Sequence, residues 1–305
     1  MRTLLWSSVL SLVVASTLTA QTRTIAERLG HPKNAKLLIL HADDLGVAHS
    51  ENAASLEAMT SGAINSASIM MPTPWVTEVA NYAKANPNAD LGLHLTLTSE
   101  WETYRWGSVA SKDRVPSLLD PDGNFPKDTR TVATRAKINE VEIELRAQIE
   151  RALVMGIKPT HLDSHMGALF STPELMAVYA KVAREYKLPF LAYIGNLRNP
   201  PPAGFTDKDI MLDAVIIAGS EVKTEQWKEF YLNAIKGLKP GLTEILVHLA
   251  RDDAEMQAVT VNHPAYGSAW RQRDVDVLNG AEFKQALKDN NVILVTWRDL
   301  MKLVQ

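Results

Sequence analysis

The chain has 305 residues, 46% of them hydrophobic, which is enough for one large domain with a buried core or for two small domains. Its formal net charge is −3, and no cluster of lysines and arginines would neutralise phosphates, so we expect no nucleic-acid partner. Cysteine is absent, which excludes disulfides, a thiol nucleophile and a thiolate metal site.

The first 20 residues resemble a secretory signal peptide. A positive charge at Arg2 precedes a mainly apolar stretch that ends at Leu18, and Ala20 supplies a small residue before a cleavage site. The apolar stretch is shorter than the roughly 20 residues of a membrane-spanning helix. We therefore predict an exported protein, periplasmic or secreted, with no permanent membrane anchor. An N-terminal extension over 21–35 and a single domain over 36–305 would follow the signal.

Eight apolar runs of strand length recur along the rest of the chain, and several of the stretches between them have helical spacing. The runs are 37–41, 66–71, 91–97, 160–162, 189–194, 212–217, 244–249 and 292–297. Alternation of strands and helices indicates a parallel sheet. Eight strands in one domain predict an α/β fold of the TIM-like (β/α) barrel type, complete or distorted, with a doubly wound open sheet as the second choice.

Two helices and three loops stand out between these runs. The stretch Glu140 to Met155 has an apolar stripe, and Gly156 is a typical helix end. Thr172 and Pro173 predict the cap and first turn of another helix. Three aperiodic stretches rich in turn residues are predicted to be loops, and loops of this length often bind ligands. They are 98–137, 196–209 and 251–270.

Acidic and imidazole side chains gather near the carboxyl ends of the predicted strands. They are Asp43 and Asp44 after the first strand, His94 within the third, His161, Asp163 and His165 after the fourth, and His248 near the end of the seventh. Because the carboxyl ends of barrel strands converge on one face, side chains far apart in sequence can line a single pocket there. The sequence therefore predicts a functional site at this face.

Each of these side chains alone also has a structural explanation. An Asp-Asp pair is often a helix cap or a turn, and a lone histidine such as His94 or His248 is often a hydrogen-bonded core residue. Two imidazoles and a carboxylate within the five residues 161–165 are costly to bury unless they bind each other, a metal or a substrate. Spacing assigns no role to His31, His41, His49 and His263.

One carboxylate and two imidazoles from separate strands would form a facial metal triad with open positions for water and substrate. Imidazole ligands favour zinc or a similar transition ion, while the carboxylate leaves magnesium, manganese and cobalt compatible. We therefore expect one catalytic divalent metal ion.

Three sequence blocks resemble the signatures of the YdjC/ChbG-like carbohydrate deacetylase family. They are Ala42-Asp43-Asp44-Leu45-Gly46, Gly92-Leu93-His94-Leu95-Thr96-Leu97-Thr98 and Thr160-His161-Leu162-Asp163-Ser164-His165. Stretches 115–125 and 244–248 are similar to further parts of that family, so the resemblance covers about 36–305. It implies a TIM-like fold and a divalent-metal hydrolase that deacetylates N-acetylated sugars such as chitin-derived oligosaccharides.

The resemblance also implies roles for individual residues. Asp43 would be the general base, and His161 and Asp163 would orient ligands or proton donors. The ligands of a zinc or magnesium ion would be Asp44, His94 and His165. For the proton on the departing amine we expect His248, with His161 as the alternative.

Two loops carry aromatic side chains that are candidates for substrate binding. Trp101, Tyr104 and Trp106 follow the third strand and offer rings of the kind that stack on sugars. Packing of these rings against the barrel is the alternative. A later loop could cover the other side of the site with Asn262, His263, Tyr266 and Trp270.

Two further function classes remain open. A metal-independent glycosidase would use Asp43 or Asp44 together with Asp163 and would be indifferent to chelation. A secreted carbohydrate-binding protein would bind oligosaccharide without releasing acetate. An N-acetylated saccharide is the partner that we expect, and the sequence leaves the oligomeric state open, a homodimer included.

Overall fold

The computed structural model describes residues 23–192 and 209–304, in which seven parallel strands form one sheet. The strands are β1 (Lys36–Leu45), β2 (Ser66–Ile69), β3 (Leu91–Leu95), β4 (Leu162–Ser164), β5 (Ala214–Ile217), β6 (Gly241–Val247) and β7 (Val292–Leu294). The predicted signal peptide and the loop positions 196–208 lie outside the described residues, so both stay predictions.

Strand β1 is the centre of the sheet, in the order β4-β3-β2-β1-β6-β5. Its positions 36–42 pair with β6 along one edge. Along the other edge, β7 pairs with positions 36–38 and β2 pairs with positions 41–45. Positions 37–45 are all buried, which explains the nearly continuous apolar run of this strand, as is typical of parallel strands covered on both faces.

A short extended segment links the two ends of the sheet. The amide of Leu191 donates to the carbonyl of Leu162 over 2.8 Å, and the amide of Leu212 donates to the carbonyl of Ala192, also over 2.8 Å. The described part of the predicted strand 189–194 therefore makes one bridge, to β4, in place of a full ladder. Pro189 has no N–H to donate, which limits the pairing here. The sheet is a distorted TIM-like barrel in one domain, as the sequence predicted.

Helices pack around this sheet. They are α1 (Ile25–Arg28), α2 (His49–Ser61), α3 (Val76–Ala85), α4 (Thr129–Arg135), α5 (Ile138–Val154), α6 (Pro173–Glu185), α7 (Trp227–Gly237), α8 (Ala254–Val259), α9 (Ser268–Asn279), α10 (Ala281–Asp289) and α11 (Trp297–Met301). Two predicted ends are confirmed: Gly156, with φ of 85°, follows α5, and Thr172 caps α6 by accepting from the amide of Leu175. No helix among the described residues combines the length and apolarity that crossing a membrane requires.

Two of the predicted loops contain short helices that the sequence analysis missed. Asp128 caps α4 by accepting from the amide of Thr131 over 2.8 Å, and Asp253 caps α8 by accepting from the amide of Met256 over 3.0 Å. Helices of six or seven residues make at most two turns, so no apolar period develops. Their capping side chains were the signal that could have found them.

Candidate metal centre

The end of β1 brings two neighbouring carboxylates into one site. Asp44 has φ of 71°, in the left-handed region, and the pairing register between β1 and β2 shifts between Ala42 and Leu45. This irregularity breaks the alternation of a regular strand, and both Asp43 and Asp44 line the same cavity. Gly46 follows with φ of 100°, and a Cβ there would lie 2.8 Å from Val76 Cγ1, so glycine is required at this turn.

Asp44, His94 and His165, the three ligands that the resemblance implies, lie together in the structure. Asp44 Oδ1 lies 3.3 Å from His94 Nε2 and 3.2 Å from His165 Nδ1, and the three side chains are at most 5% exposed. Ligand atoms of the three residues lie within 4.8 Å of one another. Asp44 Oδ1 accepts no hydrogen bond from the described residues although it is buried. A divalent cation fits this arrangement, because one carboxylate and two imidazoles are a common ligand set for such ions.

Asp163 holds the ring of His94 from the side opposite Asp44. Its Oδ1 lies 2.6 Å from His94 Nδ1, which leaves Nε2 to face the two carboxylates of β1. Carboxylates that hold the second ring nitrogen of a ligand histidine fix its tautomer and orientation. The resemblance had implied this orienting role for Asp163, and the contact agrees with it.

Arg271, on α9, is a site residue that the sequence analysis missed. It is 1% exposed, and it donates from Nη2 to Asp44 Oδ2 over 2.7 Å and from Nη1 to Glu51 Oε1 over 2.6 Å. Burial alone would raise the pKa of Asp44, but the charge of Arg271 and the contacts with His165 and His94 hold it well below its ordinary value. Asp44 therefore stays ionised.

Glu100 is a second residue that was missed, and it contacts His165 on the side away from Asp44. His165 Nε2 lies 3.0 Å from Glu100 Oε2. Burial opposes ionisation of Glu100, but the charge of His165 lowers the pKa of this carboxyl below its ordinary value. Glu100 lies in an aperiodic loop, so no spacing in the sequence pointed to it.

Asp43 and His248 face each other beside the triad. Asp43 Oδ2 lies 3.7 Å from His94 Nε2 and 3.9 Å from His248 Nε2. The backbone amide of His248 donates to Asp274 Oδ2 over 3.0 Å, which fixes the end of β6. Burial lowers the pKa of His248 to about 4, so its imidazole is neutral near pH 7.

His161 lies apart from the cavity. Its ring is fully buried and stacks on Trp297 with centroids 5.0 Å apart, and Thr160 Oγ1 lies 3.0 Å from its Nδ1. Its Nε2 is 3.9 Å from Asp163 Oδ2. His161 is not among the residues that line the cavity, so it has no direct path to a substrate.

The cavity in front of the triad has a volume of about 460 Å³. Polar groups from four carboxyl-terminal strand ends, from loops and from α9 form one part of its wall, and apolar side chains form another. The polar part includes Asp43, Asp44, His94, Glu100, Asp163, His165, His248, His263, Tyr266 and Arg271. The apolar part includes Met166, Phe170, Leu191, Val215, Ile217 and Leu246. Two of the four residues named for the second loop, His263 and Tyr266, thus reach the site.

The expected exposed platform of Trp101, Tyr104 and Trp106 is not present. Trp101 is 1% exposed and Trp106 is 4% exposed, and their rings pack edge to face with centroids 5.4 Å apart. The hydroxyl of Tyr104 donates to the carbonyl of Val47 over 2.5 Å. None of the three lines the cavity. They bury the loop against the barrel because closing a long loop over a sheet buries its largest apolar side chains.

The fold and the site together define a class of protein: an α/β barrel with a carboxylate–imidazole centre at the carboxyl ends of its strands. The model of the YdjC-like protein family matches residues 37–289, and the chain belongs to this family.

A protein of Thermus thermophilus named carbohydrate deacetylase is 31% identical over 283 residues, which cover 90% of this chain and 97% of the relative. A carbohydrate deacetylase of Brevibacillus brevis is 30% identical over 274 residues, 86% of this chain and 99% of the relative.

A solved structure supports the fold independently. The crystal structure of a protein from Enterococcus faecalis V583, named for cellobiose-phosphate cleavage, superposes with a TM-score of 0.72 at 24% sequence identity. The match covers 87% of this chain and 99% of that protein. At this identity the likeness concerns the fold alone.

Proposed function

We propose that the protein is a carbohydrate deacetylase that hydrolyses the acetamide of N-acetylated sugars with one divalent metal ion. The observation that carries the proposal is the buried Asp44 Oδ1, which accepts no hydrogen bond from the residues described and faces nitrogens of His94 and His165 at 3.3 and 3.2 Å. The names of the Thermus and Brevibacillus relatives support the reaction type and the class of substrate. Chitooligosaccharides are the substrates to try first.

The residues that would hold the ion are Asp44, His94 and His165. Their mixed nitrogen and oxygen ligands suit zinc and also allow magnesium, manganese or cobalt. When bound, such an ion lowers the pKa of a water ligand and polarises a carbonyl oxygen. Arg271 occupies Asp44 Oδ2, so Asp44 has only Oδ1 to offer.

Asp43 is the proposed general base. A water molecule adds to the acetamide carbonyl carbon and transfers a proton to Asp43 as the new C–O bond forms. Asp43 suits this step because it lines the cavity next to Asp44, His94 and His165. The C–N bond then breaks, leaving acetate and an amine on the sugar.

His248 is the proposed source of the proton that the departing nitrogen needs. Because its imidazole is neutral in the free protein, it must gain that proton during the reaction. Asp43 Oδ2 and His248 Nε2 lie 3.9 Å apart, beyond hydrogen-bond length, so transfer from Asp43 to His248 requires the two groups to approach each other when substrate is bound. The buried position of His161, away from the cavity, argues against it as the donor.

The test combines metal analysis of the purified protein with an acetate-release screen over N-acetylated mono- and oligosaccharides. Asp43→Asn is expected to retain its metal and to lose about 10²- to 10⁴-fold in turnover. His94→Ala and His165→Ala are expected to lose the metal itself. Unchanged metal content in both histidine variants would contradict the ligand assignment.

Chelation separates the proposed function from the two alternatives. A deacetylase of this kind loses activity with chelator and regains it when the ion is returned. Cleavage of a glycosidic bond that is indifferent to chelator would identify a glycosidase. Saccharide binding without release of acetate would identify a binding protein.

A further inference from the structure

His41 is a fully buried histidine of β1, three residues before Asp44, to which the sequence analysis assigned no role. Its Nδ1 lies 2.9 Å from Ser66 Oγ and its Nε2 lies 3.0 Å from Ser68 Oγ, and both serines belong to the neighbouring strand β2. The same Nε2 lies 3.2 Å from Asp43 Oδ1 and 3.1 Å from Asp163 Oδ2. The ring is therefore held by one strand and contacts two carboxylates of the site.

We propose that His41 is a positioning residue for Asp43: its ring contacts Oδ1 and fixes the carboxylate so that Oδ2 accepts the proton. This inference rests on the proposed function, in which Asp43 is the base. Asp43 Oδ1 is buried, and among the described residues the imidazole of His41 contacts it, with Nε2 at 3.2 Å. Burial opposes protonation of His41, but Asp163 and Asp43 together raise its pKa to about 10.

The same ring connects the base to the triad. Asp163 contacts His41 through Oδ2 and His94 through Oδ1, at 3.1 and 2.6 Å. His41 and Asp163 thus contact each other, and they also contact Asp43 and His94, respectively. If the carboxylate of the base is displaced by even 1 Å, the reaction is expected to slow about 10²-fold, since the reacting atoms must be held close to attack geometry.

Two substitutions of similar size separate positioning from simple packing. The amide nitrogen of glutamine in His41→Gln can take the place of Nε2 and contact Asp43. The amide nitrogen of asparagine in His41→Asn is one bond closer to the backbone, so it can take only the place of Nδ1, which contacts Ser66. His41→Asn is expected to lower kcat about 10- to 100-fold, with KM and metal affinity within about threefold of wild type. His41→Gln is expected to recover a large part of kcat, and equal loss in the two variants overturns the proposal.

A second comparison uses the Asp43→Asn background. If His41 acts through Asp43, His41→Asn costs little further turnover there, measured over long incubations, whereas additive losses overturn the inference. High turnover of Asp43→Asn alone overturns the proposed base instead. Inactive Asp43→Asn together with fully active His41→Asn overturns only the positioning role.

Metal stoichiometry tests another role for the same ring, that of a metal ligand. Ligand atoms of His41, His161 and Asp163 also lie within 4.8 Å of one another, as the ligands of a second ion would. The positioning role predicts one bound ion per chain in wild type and in His41→Asn. Two ions in wild type and one in His41→Asn would show that His41 is a ligand and overturn the proposal.

Discussion

Arg271 donates to Asp44 Oδ2 over 2.7 Å and thereby leaves Oδ1 of the same carboxylate to face His94 and His165. The pair is buried, with Arg271 1% and Asp44 2% exposed. Arg271 also binds the buried Glu51, so one guanidinium sits against two carboxyl groups. Removing one partner of a buried ion pair leaves a charge without compensation, which costs more than the pair contributes when intact.

Arg271→Met is therefore expected to lower the free energy of unfolding by about 3–5 kcal/mol. The matched control is Glu51→Gln, which keeps an oxygen to accept from Arg271. Burial raises the pKa of Glu51 well above its ordinary value, so a neutral amide at this position resembles its protonated form. Urea unfolding monitored by circular dichroism measures both variants. A loss in Glu51→Gln as large as that in Arg271→Met would contradict this explanation.

Asp163 is predicted to control metal affinity through His94. Asp163→Ala removes the carboxylate 2.6 Å from His94 Nδ1 and is expected to weaken metal binding about 10- to 100-fold, as loss of such orienting partners typically does. Asp163→Asn retains an oxygen that accepts from Nδ1 and is expected to lose less. Competition with a chromogenic chelator measures both affinities, after thermal melting has shown that each variant is folded. Equal affinities in the two variants would show that His94 is oriented without Asp163.

The sequence predicted those parts of the site that lie at strand ends. Asp43, Asp44, His94, His165 and His248 could be brought together because parallel strands that alternate with helices must point their carboxyl ends the same way. The distorted barrel followed from the same alternation. The distortion itself, with β2 and β7 sharing an edge of β1, depends on pairing between segments some 250 residues apart, which local patterns do not contain.

The site residues that the sequence analysis missed do not lie at strand ends, so the common direction of parallel strands could not place them. Arg271 lies on α9, one arginine among several charged residues, and only tertiary packing turns it inward. Glu100 lies in an aperiodic loop, where the spacing of residues does not show which side chains point toward the site. For the same reason the sequence left two roles open for the rings of Trp101 and Trp106, sugar binding and packing, since a loop without a period does not show which of its side chains are buried.

Gly92 is predicted to be indispensable for packing of the His161 ring. A Cβ at this position would lie 2.3 Å from His161 Cε1, far inside contact distance, in strand β3. Gly92→Ala is therefore expected to destabilise the protein by about 1–3 kcal/mol, the usual cost of overfilling a core. Gly237→Ala is the control, because beyond its own helix no atom of the described residues lies within 4 Å of a Cβ there. Chemical unfolding of both variants checks this, and equal stabilities would show that the ring of His161 can move aside.

Glu244 is predicted to make the protein less stable as the pH rises. Burial raises the pKa of this carboxyl to about 8, although Trp297 Nε1 donates to Oε2 over 2.7 Å and thereby opposes the rise. Oε1 accepts no hydrogen bond from the described residues. His41, Asp163 and Asp43 are the charged groups that act on it, His41 favouring and the two aspartates opposing its ionisation.

The sign of the effect follows from linkage. Between the ordinary value of 4.5 and about 8, the folded protein holds a proton on Glu244 that the unfolded chain has released. The free energy of unfolding therefore falls with rising pH across this window, by about 1.4 kcal/mol per pH unit for this one group, and levels off above it. Glu244→Gln keeps the shape of the neutral acid and removes the titration. The variant is expected to be as stable as wild type near pH 5 and more stable than wild type at pH 8.5. Urea unfolding at the two pH values measures this. A difference in stability that is the same at both pH values would refute the assignment.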